Sequence, residues 1–164
     1  MLLLLEKISK YLNRLLIVLG GAALLCLTFL ATGNVLSRIF HAPFRGTYEV
    51  VAFLGALVTA FALGFTQEKK DHIVVDILTD KFPPPVKKAL DRFNYFIAAV
   101  LFAVITWQVY RWGQKIREAG ELSETLQIVF YPFIFCVALG FAVQTFTLVV
   151  DFLKTFQRNE GEHQ

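Results

Sequence analysis

Four long stretches of the sequence contain no charged residue and no histidine, and they constrain the fold more than any other feature. They cover residues 15–37, 50–67, 93–110 and 125–150 and are 23, 18, 18 and 26 residues long. A helix rises about 1.5 Å per residue, so roughly 20 residues cross a hydrocarbon layer about 30 Å thick. We therefore predict an all-α integral membrane protein with four transmembrane helices, forming a single membrane domain over residues 1–164.

The composition agrees with a membrane domain and leaves little room for a soluble one. The 164 residues are 56% hydrophobic and 18% charged, whereas soluble domains average about 45–50% apolar and about 25% charged residues. The first apolar run is longer than the core of a cleaved signal peptide, which has about 7–15 residues. We expect this run to be a retained span.

Lysine and arginine are distributed unevenly between the two sides of such a bundle. The side with both termini and the connector between spans two and three has 11 of them, and the opposite side has five. Because cytoplasmic segments carry the excess of Lys and Arg, we predict that both termini and this connector are cytoplasmic.

Two segments beside the spans have a helical pattern of their own. Residues 1–14 place apolar side chains on one stripe, which predicts an amphipathic helix in the membrane interface; the alternative is the start of the first span. His72 and Asp76 lie one turn apart on a polar face, which predicts a helical extension beyond the bilayer as far as the prolines at 83–85. The polar tail, residues 157–164, is predicted to be flexible.

Polar residues at the ends of the spans are the candidate functional residues. Asn34 and Arg38 lie four apart at the outer end of the first span, and Glu49 opens the second, where the helix dipole favours an acid. We expect Arg38 and Glu49 to pair with each other or to contact a partner protein; alternatively, Arg38 reaches lipid headgroups. His72 and Asp76 are interpreted as a structural hydrogen-bonded pair or a contact to another subunit, because two ligands are too few for a metal site.

Aromatic and proline residues mark two further boundaries on the outer side. Trp107, Tyr110 and Trp112 end the third span and are predicted to anchor it in the membrane interface. Pro132 lies inside the fourth apolar run and predicts a kink or an interrupted helix start there.

The predicted spans contain no residue that commonly carries chemistry in a membrane. A charge inside a span usually marks a transport or proton site, and the four runs have none. A stand-alone carrier of the four-helix multidrug type needs an acid in its first span, and a haem-bearing anchor of an electron-transfer enzyme needs histidines within its helices. We therefore expect no enzyme activity, no cofactor and no metal ion in this chain, and a role as a part that packs against a larger membrane protein.

Several segments also resemble one known family, the small four-helix subunit of TRAP (tripartite ATP-independent periplasmic) transporters, which is called DctQ-like. The first three segments are NVLSRIF, TYEVVAFLGALVTAFALGF and DHIVVDIL, and the matching residues are Asn34, Val35, Arg38, Glu49, Leu54, Gly55, Ala56, His72, Ile73, Val75 and Asp76. The segment SETLQIVFYPFIFCVALGF is similar to the family's fourth helix through Ser123, Leu126, Ile128 and Gly140. The chain departs from the family before Glu49, where Thr47 and Tyr48 replace a common Trp.

The resemblance implies a three-part transport system in a bacterial inner membrane. It implies a large multi-span membrane subunit and a periplasmic substrate-binding protein as partners, with an organic anion of the carboxylate or sialic acid class carried on a sodium gradient. In such a system the large subunit holds the substrate and sodium sites. The small subunit is expected to scaffold and anchor the large one and to help dock the binding protein.

Overall fold

The computed structural model describes residues 2–40, 45–69 and 84–157, which form four helices with successive helices antiparallel. The helices are α1 (Leu2–Ile39), α2 (Thr47–Lys69), α3 (Pro84–Ala119) and α4 (Tyr131–Gln157). Each contains a stretch that is long and apolar enough to cross a membrane. The prediction of an all-α protein with four transmembrane helices is confirmed.

Helix α4 is the centre of the bundle. It packs against α1, α2 and α3, whereas α3 packs chiefly against α4. In the apolar windows of these helices, 44% of the α4 residues are buried but 0% of the α3 residues are. Most of the surface of α3 is therefore left for lipid or for another protein.

A glycine brings α4 and α2 into direct backbone contact. A Cβ added at Gly140 would lie 2.8 Å from the carbonyl oxygen of Ala60. Small residues at such crossings let membrane helices approach closely, which strengthens their van der Waals contact. The buried core beside this crossing consists of Leu16, Ala60, Phe61 and Val143.

Helix α1 joins the segment 1–14 and the first predicted span without a break. From residue 2 to residue 39 the sequence contains no proline, and the helix runs over 38 residues. The segment is helical as expected, but Ser9 and Asn13 on its polar side are buried in the bundle. Its placement in the membrane interface stays a prediction.

The fourth helix begins six residues later than the start predicted at residue 125. Residues 125–130 belong to a loop in which Gln127 has a positive φ of 54°, a conformation that interrupts a helix. Pro132 lies in the first turn of α4, where its missing N–H removes no intrahelical hydrogen bond. The interrupted start predicted from this proline is confirmed.

Helix α3 extends well beyond the third apolar run at both ends. It starts within the proline run, at Pro84, and continues to Ala119. Residues 70–83 and 158–164 lie outside the described residues, so the helical extension after the second span and the flexible tail stay predictions.

Candidate functional site

Polar groups that join different helices lie at both ends of the described bundle, and between these ends the hydroxyls of Thr106 and Thr145 are 3.4 Å apart. We name the group beside the loop between α3 and α4 the outer cluster; it consists of Gly46, Glu49 and residues 122–128. We name the group at the opposite end the inner cluster; it consists of Ser9, Asn13, Gln67, Gln144, Thr147 and Asp151.

Glu49 connects the start of α2 to the loop before α4. Its two carboxylate oxygens accept hydrogen bonds from the backbone N–H groups of Thr125, at 2.5 Å, and Leu126, at 3.1 Å. Hydrogen bonds to an ionised carboxylate are stronger than those between neutral groups. This one side chain therefore joins two segments that are 76 residues apart in the sequence.

The loop that Glu49 binds has a compact hydrogen-bonded shape. The N–H of Ser123 donates to the carbonyl of Ile128 at 3.0 Å, and the N–H of Ile128 donates back to Ser123 Oγ at 3.3 Å. Gln127 N–H closes the turn on the Ser123 carbonyl at 3.1 Å. Ser123 thus stabilises the loop and lies too far ahead of α4 to cap that helix.

Gly46 gives the loop room to pack against α2. Its φ is +81°, a region that favours glycine, and its carbonyl accepts from the N–H of Glu49 at 3.1 Å to start the helix. A Cβ at this position would come within 2.6 Å of Leu126 Cδ2. The Leu126 side chain therefore occupies the space that the glycine leaves open.

The structure does not pair Arg38 with Glu49, which was one of the two expectations for these residues. The Arg38 guanidinium donates to the Tyr48 hydroxyl at 2.6 Å and lies 6.0 Å from the centre of its ring. Both Glu49 oxygens are already occupied by the loop, so the pair is replaced by two separate contacts. The expectation that Arg38 or Glu49 contacts a partner protein stays a prediction.

The inner cluster contains a fully buried asparagine. Asn13 is 0% exposed, and its amide nitrogen donates to Thr147 Oγ1 at 3.0 Å and to Ser9 Oγ at 3.4 Å. The hydroxyls of Ser9 and Thr147 are 3.0 Å apart. Polar side chains that bond across helices stabilise membrane bundles modestly but direct which faces meet. Here they fix α1 against α4.

Two amide oxygens in the inner cluster are buried without a hydrogen-bond partner in the described part of the chain. They are Asn13 Oδ1 and Gln144 Oε1. Both lie beside Gly64 of α2: an added Cβ there would overlap Asn13 Oδ1 and would lie 3.7 Å from Gln144 Oε1. The missing side chain of Gly64 is therefore what admits these amides into the contact of α1, α2 and α4.

Charged side chains surround the inner cluster at its rim. Gln67 Nε2 donates to Asp151 Oδ2 at 3.3 Å, which joins α2 to α4. Lys154 lies 3.3 Å from Glu6 and 3.5 Å from Asp151, which joins α4 to α1. The side chains of Glu6, Asp151 and Lys154 border a cavity of about 340 Å³. Ion pairs this exposed contribute little to stability individually. We therefore attribute most of the stability of this contact between helices to the buried hydrogen bonds.

The remaining predicted residues are placed as follows. Asn34 is half-buried on α1, and Trp107, Tyr110 and Trp112 are exposed on the outer half of α3. Their role as interface anchors stays a prediction. His72 and Asp76 lie outside the described residues, so their pairing also stays a prediction.

The sequence reasoning missed the inner cluster, although a signal for it exists. Ser9 and Asn13 are four residues apart on α1, and Gln144, Thr147 and Asp151 follow each other at spacings of three and four on α4. Such spacings place each set on one helix face. If the hydroxyl and amide residues of each helix are considered together as one face, the pattern predicts the contact between α1 and α4.

The arrangement joins helices to one another and to the loop before α4. Among residues 2–40, 45–69 and 84–157, no three His, Cys, Asp or Glu side chains lie close enough together to hold a metal ion. Apart from the amide oxygens of Asn13 and Gln144, the polar groups described above bond to neighbouring helices and loops. These features define a class: a four-helix integral membrane protein whose polar residues hold the bundle together.

Comparison with known proteins identifies the family within that class. A family model described as "Tripartite ATP-independent periplasmic transporters, DctQ component" matches residues 27–158. The chain belongs to this family, which confirms the resemblance seen in its sequence. The family is one of transporter components.

A curated relative shows a similar segment within a much longer protein. The "Sialic acid TRAP transporter permease protein SiaT" of Haemophilus influenzae (strain 86-028NP) is 28% identical over 97 residues. The match covers 58% of this chain and 15% of the relative. No solved structure matches the chain.

Proposed function

We propose that this chain is the small membrane subunit of a binding-protein-dependent secondary transporter that takes up an organic anion. The observation that carries the proposal is the family match over residues 27–158. The relative named for sialic acid supports a substrate of the carboxylate or sialic acid class. Transport on a sodium gradient is part of the proposal and follows from the family resemblance.

A large membrane subunit is the proposed main partner. In the relative, the stretch similar to this chain makes up 15% of the protein, so it is joined there to a much longer permease. The surfaces of α1 and α3 are rich in exposed large apolar side chains, including Phe29 at 74% and Phe93 at 63% exposure. Such surfaces suit lipid and a membrane-embedded partner.

The proposal places the substrate and sodium sites in the large subunit. The described parts of the four apolar runs carry no ionised side chain, and the polar residues of the inner cluster are engaged mainly with other helices. An ion-coupled transport site is expected to contain charged groups inside the membrane. The role that fits this chain is therefore to scaffold and anchor the transport subunit.

The outer cluster is the proposed docking aid for the periplasmic binding protein. In the predicted topology both termini are cytoplasmic, so the loop held by Glu49 lies on the periplasmic side of a bacterial inner membrane. The carboxylate fixes the loop at two backbone amides, which gives a partner a preordered surface. Preordering lowers the entropy lost on binding.

Affinity purification of the chain from its native membrane in mild detergent tests the proposal. We expect a large multi-span membrane protein to co-purify in a stoichiometric amount, and a binding protein encoded with it to reveal the substrate. The control is an unrelated four-helix membrane protein carrying the same tag. A chain that purifies alone and moves a solute across liposome membranes by itself would contradict the scaffold role.

A further inference from the structure

A groove of about 670 Å³ runs between α3 and α4 on the outer half of the bundle. The α3 residues that line the groove lie on one stripe of that helix. The α4 residues face this stripe, and two of them, Ala138 and Ala142, have small side chains. The residues that line it are Ala103, Thr106, Trp107, Tyr110, Gln114, Arg117, Phe135, Ala138, Leu139, Ala142 and Thr145. The groove opens to the surface that lipid or a partner covers.

The chemistry of the groove changes along its length. At its inner end the hydroxyls of Thr106 and Thr145 donate to the carbonyls of their own helices, at 2.7 Å and 2.9 Å. Those hydroxyl protons are therefore not available to a ligand, and the neighbouring lining is alanine and leucine. The inner part of the groove presents an apolar surface that suits a hydrocarbon chain.

The outer end of the groove carries hydrogen-bond donors and a positive charge. Arg117 lines this end and forms no ion pair with any residue that the structure describes. Gln114 Nε2 donates to the Tyr110 hydroxyl oxygen at 3.0 Å, which leaves the hydroxyl proton of Tyr110 free to be donated. The guanidinium of Arg117 suits a phosphate, whose oxygens accept several hydrogen bonds. The phenolic O–H of Tyr110, seven residues earlier on the same stripe, adds a second donor to the groove wall.

The length of the groove matches one leaflet of a bilayer. Ala103 and Arg117 are 14 residues apart on one helix, which is about 21 Å along its axis. Half of the hydrocarbon layer is about 15 Å, and one headgroup layer adds about 6 Å. A lipid whose chain reaches Ala103 therefore places its headgroup at the level of Arg117.

We propose that this groove binds one phospholipid of the outer leaflet, with its phosphate at Arg117 and an acyl chain along Ala138 and Ala142. A transmembrane helix of a partner is the competing occupant. Such a helix would need a recess along the whole of α3, but this groove stops near Ala103, midway along the candidate span Arg92–Ala119. The charge of the rim also fits an anionic headgroup better than an apolar helix.

Quenching of Trp107 fluorescence by brominated lipid tests this proposal. The chain has two tryptophans, so a Trp112→Phe background leaves the groove residue as the reporter. The purified full chain in detergent is titrated with brominated phosphatidylglycerol and, separately, with a brominated galactolipid that has the same acyl chains and no phosphate. We expect saturable quenching near one phosphatidylglycerol per chain, with half-saturation at about tenfold lower concentration than for the galactolipid.

Matched variants separate the headgroup site from the acyl site. Arg117→Gln should raise the half-saturating concentration of phosphatidylglycerol about tenfold, and Lys115→Gln, an exposed cation outside the groove, should leave it unchanged. Ala142→Leu should weaken both lipids by filling the groove, and Ala22→Leu, an exposed alanine on α1, should weaken neither.

Two results would overturn the proposal. Equal quenching by the two lipids, with no effect of Arg117→Gln, would mean that the groove does not recognise the phosphate. Protection of Trp107 from brominated lipid in a complex with a co-purified membrane protein would assign the groove to a subunit interface. Neither result depends on which solute the transporter carries, so the proposed function is tested separately.

Discussion

The two ends of the bundle are held together by different means. At the inner end, side chains from different helices bond directly to one another: Asn13 of α1 reaches Thr147 of α4, and Gln67 of α2 reaches Asp151 of α4. At the outer end, the Glu49 carboxylate of α2 binds the backbone of a loop, and the direct bond between helices, from Arg38 of α1 to Tyr48 of α2, is exposed. The inner end therefore fixes how the helices pack, and the outer end fixes the shape of a surface.

This difference agrees with the two proposed roles of the chain, which are to scaffold the large subunit and to help dock the binding protein. A scaffold that holds a transport subunit needs a constant helix arrangement, which buried interhelical hydrogen bonds favour. A surface that meets a soluble partner intermittently needs an ordered loop that is not part of the packed core. Changes at the inner end should affect global stability, and changes at the outer end should act locally.

The largest effect is expected for Gly64→Ala at the inner end. The new methyl group would overlap Asn13 Oδ1, so Asn13 must leave its hydrogen bonds or α1 must move away. Overpacking of this kind costs about 2 kcal/mol. The free energy of unfolding is measured by SDS titration of the chain in mixed micelles.

Gly33→Ala is the matched control for this substitution. Gly33 lies in α1 with nothing within 4 Å of an added Cβ, so alanine should be neutral or raise stability by up to about 1 kcal/mol through helix propensity. Equal stability of the two variants would show that the inner contact is not tightly packed.

A smaller effect is expected for Thr147→Val. Valine keeps the shape of the side chain but removes the hydroxyl that Asn13 and Ser9 bond to, leaving a buried amide with fewer partners. The free energy of unfolding should fall by about 1 kcal/mol. The same titration measures it.

Thr59→Val provides the comparison for that loss. The Thr59 hydroxyl donates to the Gly55 carbonyl of its own helix at 2.9 Å and is exposed, so its removal breaks no contact between helices. A loss at Thr59 as large as the loss at Thr147 would mean that the interhelical bonds are not what stabilises the inner end.

The smallest effect on global stability is expected for Glu49→Gln, whose consequence should be local. The neutral amide keeps one acceptor oxygen but loses the second oxygen and the negative charge, so the amides of Thr125 and Leu126 are held less firmly. Hydrogen–deuterium exchange should speed up in residues 122–128 and stay unchanged in the middle of α4. Mass spectrometry of the peptides measures both regions at once.

Glu118→Gln, at an exposed acid near the end of α3, is the control for the charge change. It should leave the exchange of residues 122–128 as in the unchanged chain. If Glu49→Gln left the loop unchanged, or destabilised the whole bundle as much as Gly64→Ala, the contrast between the two ends would be wrong.

Most of the fold follows from the sequence because the membrane restricts the choices. Backbone groups in a hydrocarbon layer must be hydrogen-bonded within the chain, so an apolar run of sufficient length becomes a helix. Prolines also lie in the first turn of both α3 and α4, and the one at residue 132 was predicted to interrupt the start of its helix. The position of α4 was less predictable, because residues 125–130 are apolar enough for a span but are folded into a loop.

The outer cluster was predictable in its residues and not in its contacts. Glu49, Ser123, Leu126 and Ile128 were all singled out from the sequence, yet the Glu49 carboxylate bonds to backbone amides that are 76 and 77 residues away. Arg38 was expected near Glu49 and instead bonds to Tyr48. The spacing of residues along a helix shows which of them share a face. It does not show which face of another helix packs against that face.

The sequence by itself determined the class of protein, its four helices and its family resemblance, because these depend on hydropathy and on short motifs that act locally. The tertiary structure decided that α4 is the central helix and that Asn13 is buried beside Gly64. It also decided that the outer half of α3 borders a groove. These features depend on which helix faces pack together, and that choice is made by shape and by hydrogen bonds between residues far apart in the chain.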